Sequence, residues 1–195
     1  GYGAVVNTAQ VRAGSNVVVI GTGGVGLNSV QGAAISGANR VIAVDVAEDK
    51  LAAAKTFGAT DGLLASDPDL PGSIKKLTDG RGADFVFVTV GAKSAIDSAY
   101  DLMAPTGAVV LVGMPATGVM SEYEPGNVAA YGQRILGSKM GSGRVPVDIP
   151  NLASLYQQGR LKLDELISGR YALDEINEAI ASTKSGSALR NVIVF

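Results

Sequence analysis

The chain has 195 residues, 47% of them apolar, which is enough for a packed core in one ordinary domain or a little more. Its 16 basic and 18 acidic residues are interspersed and leave a net charge of −2, which gives no electrostatic footprint for nucleic acid or an anionic membrane. Cysteine and histidine are both absent, which removes disulfides, thiolate metal sites, cysteine nucleophiles, the commonest metal ligand and the commonest general base.

Residues 1–15 read as a leading helix and linker, and the start at Gly1, with neither a methionine nor a basic signal region, reads as a piece of a longer protein. Asn16 to Ile20 is a short, continuously apolar, β-branched run of the kind buried on both faces of a parallel sheet. Leu27, Val30 and Ala34 then repeat at helical spacing, Gly37 closes that helix, and Arg40 to Asp45 is the next strand. Glu48 to Phe57 is helical by composition, Asp61 to Ala65 is a weak strand, and the loop with Pro68 and Pro71 opens a helix ending near Gly80. Asp84 to Val90 is a strand, Ser94 to Met103 a helix, Gly107 to Gly113 a strand, and a sixth strand is expected near Arg134 to Lys139. Strands separated by single helices need crossovers, so the expected fold class is α/β, a doubly wound parallel sheet. No apolar run reaches the roughly 18 residues of a membrane span.

After Met140 the pattern changes to a loop, a helix from about Asp148 to Gln158, a short stretch at Ser168 to Ala172, a helix from Asp174 to Lys184 and a terminal apolar strand, Asn191 to Phe195. That strand needs a partner, and the parallel sheet already has its complement. The expected division is therefore 1–140 as one domain and 141–195 as a segment belonging partly to something not present, with Ile149, Leu152, Leu155, Ile193 and Phe195 short of cover.

Gly21, Gly23 and Gly26 match G-x-G-x-x-G between a strand and a helix. The first allows the tight turn, the second lets backbone approach a pyrophosphate, and the third lets the helix pack on the sheet, with the helix N-terminus offering amides to the phosphates. Asp45 ends the second strand nineteen residues after Gly26, where a carboxylate accepts the adenine-ribose hydroxyls. A 2′-phosphate would meet it as a like charge, a repulsion of a few kcal/mol at an effective dielectric of about 20, so NAD is expected over NADP. The alternatives are a glycine-rich turn holding no dinucleotide, and an exposed aspartate capping the helix that begins at Glu48.

The stretch GYGAVVNTAQVRAGSNVVVIGTGGVGLNSVQGAAISGANRVIAVDVAEDKLAAAKTFGATD, with GRGADFVFVTVG, VLVGMP, YALDEINEAI and LRNVIVF, resembles the cofactor-binding half of medium-chain, zinc-type alcohol dehydrogenases, in the alcohol and glutathione-dependent formaldehyde dehydrogenase branch. The resemblance covers essentially the whole chain. It implies a six-stranded Rossmann sheet and a C-terminal extension that packs on an absent catalytic domain. It places Val25 beside Gly24 at the pyrophosphate turn, Asp45 and Lys50 at the adenosine ribose, and Thr89, Val90 and Gly91 under the adenine side. Gly113 and Met114 would lie near the nicotinamide, the backbone around Ser138 and Met140 would bond its carboxamide, and Arg190 would reach the pyrophosphate. Lys50 as a solvated lysine, and Met114 and Met140 as core filler, are the plain alternatives.

The resemblance further implies a cytoplasmic homodimer paired through edge strand 134–139, a small alcohol or aldehyde as substrate of the intact enzyme, and zinc only in the absent half. In the family the last cysteine ligand stands just upstream of the position of Gly1. This chain, which binds a dinucleotide on this reading, would then oxidise no alcohol by itself. A zinc-free quinone- or enoyl-reductase type of cofactor domain, which would prefer NADPH, and a stand-alone NAD-binding module stay open.

Overall fold

Four of the five residues of Asn16–Ile20 (β1) are β-branched and almost entirely shielded from water, so this strand has apolar neighbours on both faces and sits at the middle of a sheet. The computed structural model describes residues 1–186 and 188–195, which group into two units, Gly1–Gly143 and Arg144–Phe195. In the first unit β1 is joined by Arg40–Asp45 (β2), Asp61–Leu64 (β3), Ala83–Val88 (β4), Met103–Leu111 (β5) and Arg134–Gly137 (β6). All five pairings are parallel and the order is β3-β2-β1-β4-β5-β6. The chain therefore builds outward from β1 to β3, then returns to lay β4 beside β1. That reversal opens a crevice above the C-terminal ends of β1 and β4.

The helices are Gly24–Ile35 (α1), Glu48–Thr56 (α2), Leu70–Leu77 (α3), Lys93–Ala99 (α4) and Pro125–Tyr131 (α5). Leu27, Val30 and Ala33 of α1 and Ile74 of α3 are fully buried, each large side chain contributing roughly 1.5–3 kcal/mol by leaving water. Asp69 caps α3 by accepting from Gly72 N at 3.1 Å. A wide, π-type helical turn, Ala4–Ala9, lies over α1, where Val5 packs beside Gly32. No helix among the described residues is long and apolar enough to cross a membrane.

Strand ends and one helix differ from expectation for identifiable reasons. β4 stops at Val88 rather than Val90, because Val112 N and Gly113 N both donate to the Val88 carbonyl at 2.9 Å and close the ladder there. β5 begins at Met103 rather than Gly107. A 3₁₀ turn, Tyr100–Leu102, ends the preceding helix early, and Thr106, at φ +64°, sits in a bulge between the pairs Ala83–Met103 and Phe85–Ala108. Helix α5 carries no apolar stripe to reveal it. It starts on Pro125, ends at left-handed Gly132, and buries no residue fully.

The second unit contains the helices Val145–Gln157 (α6) and Ile176–Lys184 (α7) and the strands Ile167–Tyr171 (β7) and Arg190–Ile193 (β8). Here the expectation of a terminal strand without a partner is corrected. β8 pairs in parallel with β7, connected through α7, and Asn191 Nδ2 donates to the Ala179 carbonyl at 2.8 Å to fasten the helix to the strand. Leu161, Leu166 and Ala179 are buried, whereas Ile149 is 58% and Phe195 99% exposed; Leu152, Leu155 and Ile193 are half-buried.

A methyl group at Gly26 would stand 1.8 Å from the Gly21 carbonyl oxygen. Gly26→Ala is expected to cost at least about 1–3 kcal/mol in urea unfolding followed by circular dichroism. Gly137→Ala, where a Cβ meets nothing within 4 Å, is expected to stay within about 0.5 kcal/mol.

Candidate functional site

Because the strands are parallel, the turns after β1, β2, β4, β5 and β6 open on one rim of the sheet, and these turns carry the expected site residues of the first unit. The three motif glycines have three different causes. Gly21 has φ +88°, and a Cβ there would meet Val90 Cγ1 at 2.5 Å. Gly26 is closed by the Gly21 carbonyl. Gly23 has an ordinary φ of −72°, and a Cβ there would meet nothing within 4 Å among the described residues beyond its chain neighbours. Neither backbone conformation nor packing asks for glycine at 23, and the space above it is open.

Gly23 is also the N-cap of α1, and the first bond within the helix runs from Leu27 N to Gly23 O at 2.9 Å. The amides of Gly24, Val25 and Gly26 precede it and have no intrahelical acceptor. No side chain caps them, and no acidic residue stands in the first turn. Uncapped amides at the positive end of a twelve-residue helix favour an anion.

Asp45 is only 6% exposed, so the exposed aspartate of one alternative is not what the chain builds. Oδ2 accepts from Thr22 N at 2.7 Å and Thr22 Oγ1 at 2.9 Å, strapping the end of β2 to the glycine loop. Oδ1 accepts from Val46 N at 2.8 Å and, at 3.4 Å, from Ala47 N, the N-cap of α2, so the capping alternative is realised in part. Each carboxylate oxygen thus receives two donors, and the 3.4 Å contact from Ala47 N to Oδ1 is the longest of the four. Lys50, half-buried in the first turns of α2, makes no ion pair among the described residues.

On the other side of the crevice, Thr89 fastens β4 to β1. Its amide donates to Ile20 O at 3.0 Å and its hydroxyl to Gly21 O at 2.7 Å. Val90 and Gly91 follow, and Gly91 lies so close to Met114 O, and Gly113 to the Val90 backbone, that neither has room for a Cβ. Ser138, after β6, is 6% exposed and donates its amide to Leu111 O at 2.9 Å. Met114 and Met140 are 84% and 89% exposed, so neither packs in the core of the first unit. With Val25 and Val46, also exposed, they place four apolar side chains on this rim. Arg190 is exposed at the start of β8, in the second unit.

Thr22, Thr8 and Val46 had no signal in the sequence reading. Thr22 occupies a free position of the motif, and Thr8 meets Ser138 only across a sequence separation of 130. A cavity of about 880 Å³ in the first unit, lined among others by Lys75, Asp97, Tyr100, Glu122 and Tyr131, includes none of the rim residues named above.

Residues 24–158 match the family model described as zinc-binding dehydrogenase. The chain is 37% identical over 187 residues to an NDMA-dependent alcohol dehydrogenase of Amycolatopsis methanolica, an alignment that takes in 94% of this chain and 50% of that protein. It is 32% identical to a geraniol dehydrogenase of Carpoglyphus lactis, covering 100% of this chain and 51% of that one. The crystal structure of benzyl alcohol dehydrogenase from Acinetobacter calcoaceticus superposes with a TM-score of 0.94 at 35% identity, over 99% of this chain and 53% of that chain. The chain thus spans about half the length of the relatives it matches.

The strap between Thr22 and Asp45 is buried, so removing its hydroxyl leaves carboxylate capacity unmet. Thr22→Val is expected to lower stability by about 1–3 kcal/mol and Thr22→Ser by less, read from urea midpoints with unchanged slope.

Proposed function

Since the chain belongs to the family of zinc-binding dehydrogenases, we propose that it binds NAD(H) across the rim of its sheet, as the cofactor-binding portion of an enzyme that interconverts an alcohol and an aldehyde or ketone. The observation that carries this reading is Gly23, a glycine with an ordinary φ and open space where its side chain would be, next to uncapped helix amides. A dinucleotide pyrophosphate needs that combination: backbone it can approach and donors with no competing acceptor.

On this reading Gly21, Gly23, Gly24, Val25 and Gly26 hold the pyrophosphate and Asp45 takes a ribose hydroxyl on Oδ1 in place of the long contact from Ala47 N, with Lys50 beside it. Thr89, Val90 and Gly91 form the floor at the switch point, where Thr89 keeps β1 and β4 together. Gly113, Met114, Ser138 and Met140 border the second nucleotide, and the two exposed methionines shield its ring from water. When bound, the nicotinamide supplies the hydride acceptor or donor.

Zinc does not fit the residues of this chain. There is no cysteine or histidine in the sequence, and no group of three acidic residues among the described ones could hold a metal ion. We assign the polarisation of a substrate oxygen to no residue of this chain.

Fluorescence titration is expected to show NADH bound more tightly than NADPH; equal or reversed affinities would remove Asp45 from the ribose. Asp45→Ser combined with Val46→Arg should narrow the gap. Gly23→Val should weaken NADH at least tenfold with an unchanged circular dichroism spectrum. The 195-residue chain, supplied with NAD and zinc, is expected to turn over neither ethanol nor benzyl alcohol, as followed at the NADH absorbance.

Assembly is read from β6, the last strand in the sheet order, whose outer edge is unpaired among the described residues and whose Ile135 is 37% exposed. We propose a homodimer through it. Light scattering should give twice the chain mass of 19.7 kDa, and a monomer at high micromolar concentration would count against the pairing.

A further inference from the structure

The loop after β6 is held in an unusual conformation by the N-terminal segment. Met140, Gly141 and Ser142 have φ of 52°, 64° and 48°, three successive left-handed residues of which two carry side chains that disfavour it. Thr8 Oγ1 shares hydrogen bonds with Ser138 Oγ at 2.7 Å, two residues before the left-handed run, and with Ser142 Oγ at 2.8 Å, its last residue. A hydroxyl has one donor and two acceptor positions, so a single oxygen can serve both partners. Asn7 Nδ2 adds a bond to the Gly141 carbonyl at 3.3 Å. Gly3 and Gly141 meet backbone to backbone, a Cβ on Gly3 falling 2.6 Å from Gly141 O.

We propose that Thr8 is a positioning residue for the nicotinamide half of the dinucleotide site, acting through the loop from Ser138 to Ser142. The assignment rests on the reading of the rim as an NAD(H) site. With the adenosine ribose at Asp45 on β2, the second nucleotide crosses the switch point and lies over the ends of β4, β5 and β6. Strands stand about 4.8 Å apart, so β6 is about 10 Å beyond β4, on the side away from Asp45. The loop after β6 therefore borders the nicotinamide half alone. Thr8 touches no ligand; it fixes the backbone that presents Met140, the most exposed methionine of the rim. Without its hydroxyl, Ser138 and Ser142 lose their common anchor and the left-handed turn can relax.

The test compares NADH with ADP-ribose, which keeps the adenosine, the pyrophosphate and the second ribose but lacks the nicotinamide. Thr8→Val is expected to weaken NADH five- to tenfold while leaving ADP-ribose within twofold, and Thr8→Ser should restore NADH. Ser142→Ala, at an exposed position, should give the same split in smaller degree and serves where Thr8→Val does not fold. Equal losses for both ligands would mean that Thr8 only supports the fold. Unchanged NADH affinity would mean that the loop does not need it. Either result overturns the assignment while leaving the dinucleotide reading intact. If the unsubstituted chain binds neither NADH nor ADP-ribose, the reading of the rim fails and the role of Thr8 fails with it.

Discussion

The contact between the Gly21 carbonyl and the backbone of Gly26 sets how closely α1 can begin against the end of β1. A separation that excludes even a methyl group brings the helix axis over the sheet within a few residues of the strand. Its first amides consequently open onto the crevice between β1 and β4. The apolar side of α1, with Leu27 and Val30 fully buried, can reach the sheet only from that start. Thr89 then bonds the same Gly21 carbonyl from β4, so one oxygen registers strand, helix and neighbouring strand together.

Around this point the two sides of the rim are built by different physical means. On the β2 side a buried carboxylate is satisfied by local amides and one threonine, with its strain-free backbone fixed by charge-assisted bonds. On the β6 side no charge is involved. Neutral hydroxyls and close backbone packing hold a turn that would otherwise be unfavourable, and the side chain it displays is flexible and apolar. A carboxylate suits a polar ribose, and a movable apolar edge suits a flat ring.

The legibility of the sequence followed the range of the interactions. β1, β2 and the glycine loop were evident because their causes are local: β-branched runs and glycines at fixed offsets. The end of β4 is not legible because it depends on Val88 receiving two amides from Val112 and Gly113, and the start of β5 is not because it depends on the bulge at Thr106. Helix α5 was invisible, since a surface helix of PGNVAAY composition has no apolar period to detect. β8 was seen, but not its partner β7, whose sequence ISGRY buries no residue fully. The site showed the same division. The position of Asp45 was readable from spacing, but its two bonds to Thr22 were not, because a hydroxyl in a variable motif position carries no sequence mark.

The uncapped start of α1 has a kinetic meaning. Many helix N-termini are closed by their own serine or aspartate, which an incoming anion has to displace by rotating a side chain away. Here no such gate exists, and the neighbouring groups, Asp45 and Thr89, are already engaged with the protein in positions that leave the helix amides alone. If the proposed dinucleotide binds here, its phosphate would displace water without first rotating a capping side chain away. Capture at this end of the crevice would then be governed by diffusion and dehydration, with little rearrangement of the chain between encounter and a seated ligand.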